Sequence, residues 1–86
     1  ARILNKKTHK MELEKFIADI ASQFEDTDSS VFTADTRFKT LDEWSSLTAL
    51  SLIGIIDEEY DIVLKGDDIR QADTIKELFE IVQSRL

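Results

Sequence analysis

Apolar residues recur at helical spacing along three stretches of this chain, and polar residues fill the intervals. Leu13, Phe16, Ile17, Ile20 and Phe24 keep one face of a first helix apolar, while Glu12, Glu14, Lys15 and Asp19 turn toward water. Farther on, Leu47, Ala49, Leu50, Leu52, Ile53, Ile55, Ile56 and Tyr60 cover both the i, i+3 and the i, i+4 rows, so this second helix is expected to be buried on a broad arc. Asp67-Asp68-Ile69-Arg70-Gln71 reads as a third helix of one or two turns. The last helix has Ile75, Leu78, Phe79, Ile81, Val82 and Leu86 on its apolar side, and Thr74-Ile75-Lys76-Glu77 is a capping-box sequence for its start. The pattern predicts an all-α fold with helices near residues 11 to 25, 45 to 60, 67 to 71 and 74 to 85.

A loop of roughly seventeen residues separates the first two helices, long for a connection without regular structure of its own. Phe32, Phe38, Leu41 and Trp44 can pin it to the bundle, with Asp28-Ser29-Ser30 and Ala34-Asp35-Thr36 as local turns. It delivers the chain to Ser45, Ser46 and Thr48, which suit a helix start because a serine oxygen accepts from the unpaired N–H groups there. Those groups and the positive end of the helix dipole also favour an anion, such as a phosphate ester on Ser46. Gly54 interrupts the same helix at a cost of about 1 kcal/mol relative to alanine. Two readings follow: Gly54 widens access between the second and third helices, or it lets a neighbouring element pack closely.

Charge narrows the classes of partner. The 86 residues carry a net charge of −7, with Arg2, Lys6, Lys7 and Lys10 gathered in the first ten; residues 11 to 86 hold 18 acidic against 7 basic residues, a net of −11. That argues against nucleic acid and for basic protein surfaces. Length allows one domain with a modest core. There is no Cys, hence no disulfide framework, thiolate nucleophile or cysteine-zinc cluster. Apolar stretches fall far short of a membrane span and none follows the basic N-terminus as a secretory signal would, so a cytoplasmic protein without membrane insertion is expected.

Catalytic chemistry is poorly represented. His9, the single histidine, lies among lysines with no partner ligand at metal-binding spacing, and the two glycines, Gly54 and Gly66, form no phosphate loop. An EF-hand starting at Asp57 puts Ile62 at the required glycine position, and one starting at Asp61 puts Val63 and Lys65 in ligand slots, so neither register works. No metal site and no enzymatic activity of the chain itself is expected.

The order Trp44-Ser45-Ser46-Leu47, a long apolar helix, Asp57-Glu58-Glu59-Tyr60, then Ile69 and Ala72-Asp73-Thr74-Ile75, resembles the acyl carrier protein family over about residues 12 to 85. The resemblance implies a small four-helix bundle with a long ordered first loop and a short third helix, with the carrier domain at 11 to 86; residues 1 to 10, opposite in sign and without helical periodicity, read as a flexible basic extension or part of an altered start. It implies that Ser46, directly before Leu47, accepts a 4'-phosphopantetheine arm from coenzyme A through a phosphopantetheinyl transferase. The arm would carry acyl groups as thioesters to acyl-synthesising or acyl-transferring enzymes with basic docking surfaces, in fatty acid or related biosynthesis. By the same resemblance Asp42, Glu43, Leu47, Asp57, Glu58 and Glu59 would meet partners. Phe38, Leu50, Ile55, Ile56, Leu64, Ile69, Ala72, Leu78 and Ile81 would line the acyl site between the second and third helices, and the carrier would be a monomer. The chain departs from the family in having Ser45 where aspartate is usual, and Thr48 and Ser51 where acidic residues are common. The alternative is an acidic helical adaptor of the same fold without the arm.

Overall fold

The computed structural model describes residues 12–86; the basic extension expected at 1 to 10 lies outside them. The described chain is a bundle of four α-helices: α1 Leu13–Ala21, α2 Ser46–Tyr60, α3 Gly66–Gln71 and α4 Ile75–Gln83. Two 3₁₀ turns, Ser29–Val31 and Phe38–Thr40, punctuate the long connection from α1 to α2. No strand occurs among the described residues.

α1 stops well short of its expected end near residue 25. Ser22 Oγ donates to the Asp19 carbonyl at 2.6 Å, and the Gln23 and Phe24 N–H groups donate to Ile20 and Ala21, three residues back. Such bonds tighten the last turn and satisfy its carbonyls. They also swing Phe24 into the core, where it is 3% exposed, without continuing the helix. α4 starts as its sequence signals: Thr74 Oγ1 accepts from the Glu77 N–H at 3.1 Å, and Glu77 Oε1 accepts from the Thr74 N–H at 3.2 Å.

One core joins all four helices and the loop. Phe16 and Ile20 from α1, Leu52 and Ile56 from α2, Ile69 from α3, and Ile75, Leu78 and Val82 from α4 are buried together with Phe24, Phe32, Phe38, Ile62, Leu64 and Ala72. Helices this short are marginal alone, so their stability comes from this shared burial. The loop takes part in it fully. Phe24 and Phe32 rings lie 5.0 Å apart, Trp44 stacks on Phe24 at 6.4 Å and meets Phe38 edge-on at 5.4 Å. The Ile75 and Lys76 N–H groups, unpaired within α4, donate to the loop carbonyls of Thr36 and Ala34 at 3.1 and 2.9 Å.

α3 is the shortest helix and is clamped at both ends. At its start, Asp68 Oδ2 accepts from the Lys65 N–H at 2.9 Å while the same carboxylate takes the Arg85 guanidinium in a two-pronged pair at 2.9 and 2.5 Å. At its end, Lys39 Nζ donates to the Ile69 and Arg70 carbonyls at 3.0 Å each. Asp68 is buried, at 7% exposed, and Arg85 and a backbone N–H compensate that burial.

The Arg85 hydrogen bonds, then the Lys65 N–H, hold the Asp68 carboxyl below the usual carboxylate range despite burial. A folded-state pKa below the unfolded one, near 3.9, means that the stabilisation is complete above roughly pH 4 and is lost as pH falls through the lower folded value. Asp68→Asn is expected to lower unfolding free energy at neutral pH by about 1–3 kcal/mol. The difference from wild type should shrink as pH drops below about 4, when the wild-type carboxyl protonates. Denaturant titrations at neutral and acid pH check both; a gap that stays constant with pH contradicts the assignment.

Candidate functional site

The start of α2 is set by hydrogen bonds that separate two adjacent serines. Ser45 is the N-cap, in extended conformation, and its Oγ accepts from the Thr48 N–H at 3.3 Å. Thr48 Oγ1 in turn donates to the Glu43 carbonyl at 2.9 Å, folding the residues before the helix back onto its first turn. Ser46, the first helical residue, is exposed, and no hydrogen bond among the described residues engages its Oγ. The first turn of α2 holds no acidic residue, so the positive end of the dipole is not already neutralised by a side chain.

α2 is not buried on the broad arc that its composition suggested. Only Thr48, Leu52 and Ile56 are buried, four residues apart, with Ala49, Ile53, Ile55 and Tyr60 partly covered. Leu47 and Leu50 are 76% and 63% exposed. Successive residues turn by about 100° on a helix, so Leu50, two positions from both Thr48 and Leu52, points away from the core. Gly54 lies on the same outer face, and a Cβ built on it would meet nothing within 4 Å. No neighbouring element packs against it, so the close-packing reading from sequence is overturned.

Among the nine residues proposed to line an interior site, Phe38, Ile56, Leu64, Ile69, Ala72 and Leu78 sit together in the core, and Ile55 and Ile81 flank it. Leu50 does not join them. A surface depression of about 510 Å³ lies instead on the loop side, lined by Asp26, Thr27, Asp28, Val31, Leu41, Asp42 and Glu43.

The acidic residues divide into two kinds. Asp42, Asp57 and Glu58 are exposed. Glu43 and Glu59, placed with them by sequence, are used within the chain. Glu43 accepts from the Asp26 N–H at 3.0 and 3.1 Å and from Thr27 Oγ1 at 2.7 Å, which ties the end of the α1 turn to the residues before α2. Partial burial pushes the Glu43 carboxyl up, and the hydrogen bonds from Thr27 and neighbouring backbone N–H groups outweigh it, holding it below its ordinary value. Glu59 receives Lys15 Nζ at 3.0 Å; Lys15 also reaches Asp19 at 2.9 Å, and Tyr60 Oη donates to Asp19 at 2.7 Å. Burial, reinforced by that bond to Asp19, pushes the Tyr60 hydroxyl up, while Asp19 and Glu59 hold the Lys15 ammonium above its ordinary value.

Sequence reasoning missed this α1–α2 clamp, since Asp19 was read as facing water, and it missed Arg85 and Lys39 as the partners of α3. The signal present in sequence was an acidic residue three positions after Lys65, where a side chain reaches back to the helix start. No group of three or more His, Cys, Asp or Glu side chains among the described residues converges to hold a metal ion, and no helix among them is long and apolar enough to cross a membrane. Compared with known protein families, with curated proteins and with solved structures, the chain matches none.

Two outcomes follow from α2. Gly54→Ala fills open space on an exposed helical position and is expected to stabilise the chain by about 1 kcal/mol, raising Tm by roughly 4–8 °C; a lower Tm would mean that something does pack there. Asp61, the α2 C-cap, has φ of 58° and follows three acids at the negative end of the dipole. Asp61→Asn retains a residue tolerant of the left-handed region and removes the charge, so thermal unfolding should shift upward, by about 0.3–1 kcal/mol of stability.

Proposed function

We propose that this chain is an acyl carrier protein whose 4'-phosphopantetheine arm is attached to Ser46. The observation that carries the reading is the division of labour at the α2 N-terminus. Ser45 is committed to capping Thr48, whereas Ser46 stands beside it exposed, with its Oγ unengaged. The phosphodiester of the arm would be a fixed anion, and the groups present suit one. The leading N–H groups of a fifteen-residue helix point toward it, and no carboxylate in the first turn repels it.

When bound, the arm supplies a terminal thiol that holds an acyl group as a thioester. Everything else falls to the chain. Trp44, seated against Phe24 and Phe38, fixes where the backbone enters α2, and the Ser45 cap fixes how Ser46 is presented to a transferase. The exposed carboxylates of Asp42, Asp57 and Glu58 give partner enzymes a negative surface to approach. Phe38, Ile56, Leu64, Ile69, Ala72 and Leu78 make an apolar interior next to α3, whose two clamps would hold that wall while an acyl chain is sheltered.

Intact mass after incubation with coenzyme A, Mg²⁺ and a phosphopantetheinyl transferase tests the reading. Wild type is expected to gain one phosphopantetheine and Ser46→Ala none. Ser45→Ala should still be modified and lose about 1 kcal/mol of stability with its cap. No mass gain on wild type, or a gain that survives Ser46→Ala, would refute the assignment.

A further inference from the structure

α3 is held chiefly by charge, where the other helices are held by apolar burial. α1 buries Phe16 and Ile20, α2 buries Leu52 and Ile56, and α4 buries Ile75, Leu78 and Val82, but α3 buries one apolar side chain, Ile69, beside the carboxylate of Asp68. Six residues that begin with a glycine and two aspartates do not hold a helix unaided. The Asp67–Arg70 pair adds little, since both side chains are 74% exposed. What remains are the two clamps, and both come from far along the chain. Arg85 takes Asp68 at the start, and Lys39 takes the Ile69 and Arg70 carbonyls at the end. The links on either side, residues 61–65 and 72–74, have no helix of their own and are pinned by the buried Leu64 and Ala72. α3 can therefore leave its seat with those pins and the other three helices in place.

From this geometry we infer that α3 is a lid latched by Arg85 and Lys39, which opens as a unit while α1, α2 and α4 stay folded. Opening withdraws Ile69 from the core that Ile56, Leu64, Ala72 and Leu78 share, and bares an apolar seat fit for an aliphatic chain. The two partners of the first clamp are not equivalent. The Arg85 side chain is 42% exposed and reaches water without its partner, but that of Asp68 is 10% exposed and, once unpaired, regains water only if α3 lifts. Loss of Arg85 therefore drives the lid open, whereas neutralising Asp68 merely loosens it. The inference rests on the carrier reading only for the identity of the aliphatic chain, which that reading makes a thioester-bound acyl group.

Amide hydrogen exchange of the full, unmodified chain, followed by NMR at rising urea below the unfolding transition, tests it. Wild-type amides of Ile69 to Gln71 should exchange about tenfold or more faster than those of the buried residues of α1 and α4, and with little dependence on urea, because lifting a lid exposes little surface. Arg85→Met keeps the stem and loses the donors; it should speed α3 exchange about tenfold or more without steepening its urea dependence. Asp68→Asn should speed it less. The double variant Asp68→Asn, Arg85→Met should exchange more slowly there than Arg85→Met, since no buried charge is then left unpaired. If circular dichroism shows Arg85→Met unfolded, Lys39→Met, which frees the other end of α3, carries the same test. The apolar dye Nile red should bind Arg85→Met more tightly than wild type, by the factor by which the open population rises. α3 exchange with the urea dependence of α1 and α4 overturns the lid, because the helix then opens only with the whole domain. Rates within about twofold of wild type in the folded latch variants overturn the latch, and unchanged dye affinity overturns the apolar seat. Mass analysis with coenzyme A and the transferase keeps the two readings apart. An α3 that opens alone with no mass gain at Ser46 refutes the carrier reading only, whereas a mass gain with α3 opening only on global unfolding refutes the lid only.

Discussion

Trp44 packed between Phe24 and Phe38 is the contact on which the placement of α2 depends. It lies immediately before the Ser45 cap, so whatever holds the indole also sets where the helix begins and in which direction Ser46 leaves the surface. Phe38 is fully buried, and Phe24 and Phe32 nearly so, which draws the middle of a 24-residue connection into the same core as the helices. A connection of this length would ordinarily be a source of disorder. Here it is fastened to α4 by the Thr36 and Ala34 carbonyls, to α3 by Lys39 and to the α2 cap by Glu43. Three of the four helices thus take part of their end-capping from the loop, and no helix is independent of it.

The same logic explains what could be read from sequence. Periodicity located α1, α2 and α4 because each must bury one face, and the caps at Ser45 and Thr74 were legible because capping is a local exchange between a side chain and N–H groups two or three residues away. The loop aromatics were legible as anchors for the same reason that they are buried: large apolar side chains in an otherwise polar stretch have few other places to go. Contacts between distant residues left no such trace. Asp68 with Arg85, Lys39 with the end of α3, and Tyr60 with Asp19 are separated by 17, 30 and 41 residues. The local pattern marks Asp68 only as a residue able to reach back to the start of α3, and marks none of the distant partners.

Leu50 and Gly54 failed for a different reason. Eight apolar positions in one helix were taken as evidence of wide burial, but a bundle of short helices around one small core can cover only one row of a fifteen-residue helix fully. The surplus is then left facing water. Composition reports how much apolar surface a helix carries, and only the packing of its neighbours reports how much of it is covered.

That surplus places α2 under two demands which pull its sequence in opposite directions. Its inner row brings Leu52 and Ile56 into the core that Phe16 of α1 and Leu78 of α4 share. Its outer row would be most stable with charged helix formers and a basic last turn, yet it has leucines, a glycine and then acids, capped by an aspartate in the left-handed region. The stabilising features lie elsewhere, in the capping box of α4 and the two clamps on α3. The outer face of α2 is thus locally suboptimal where its own chain does not use it. The Ser45 cap and the packing of Trp44 keep Ser46 and the exposed leucines in fixed relation at the start of the helix.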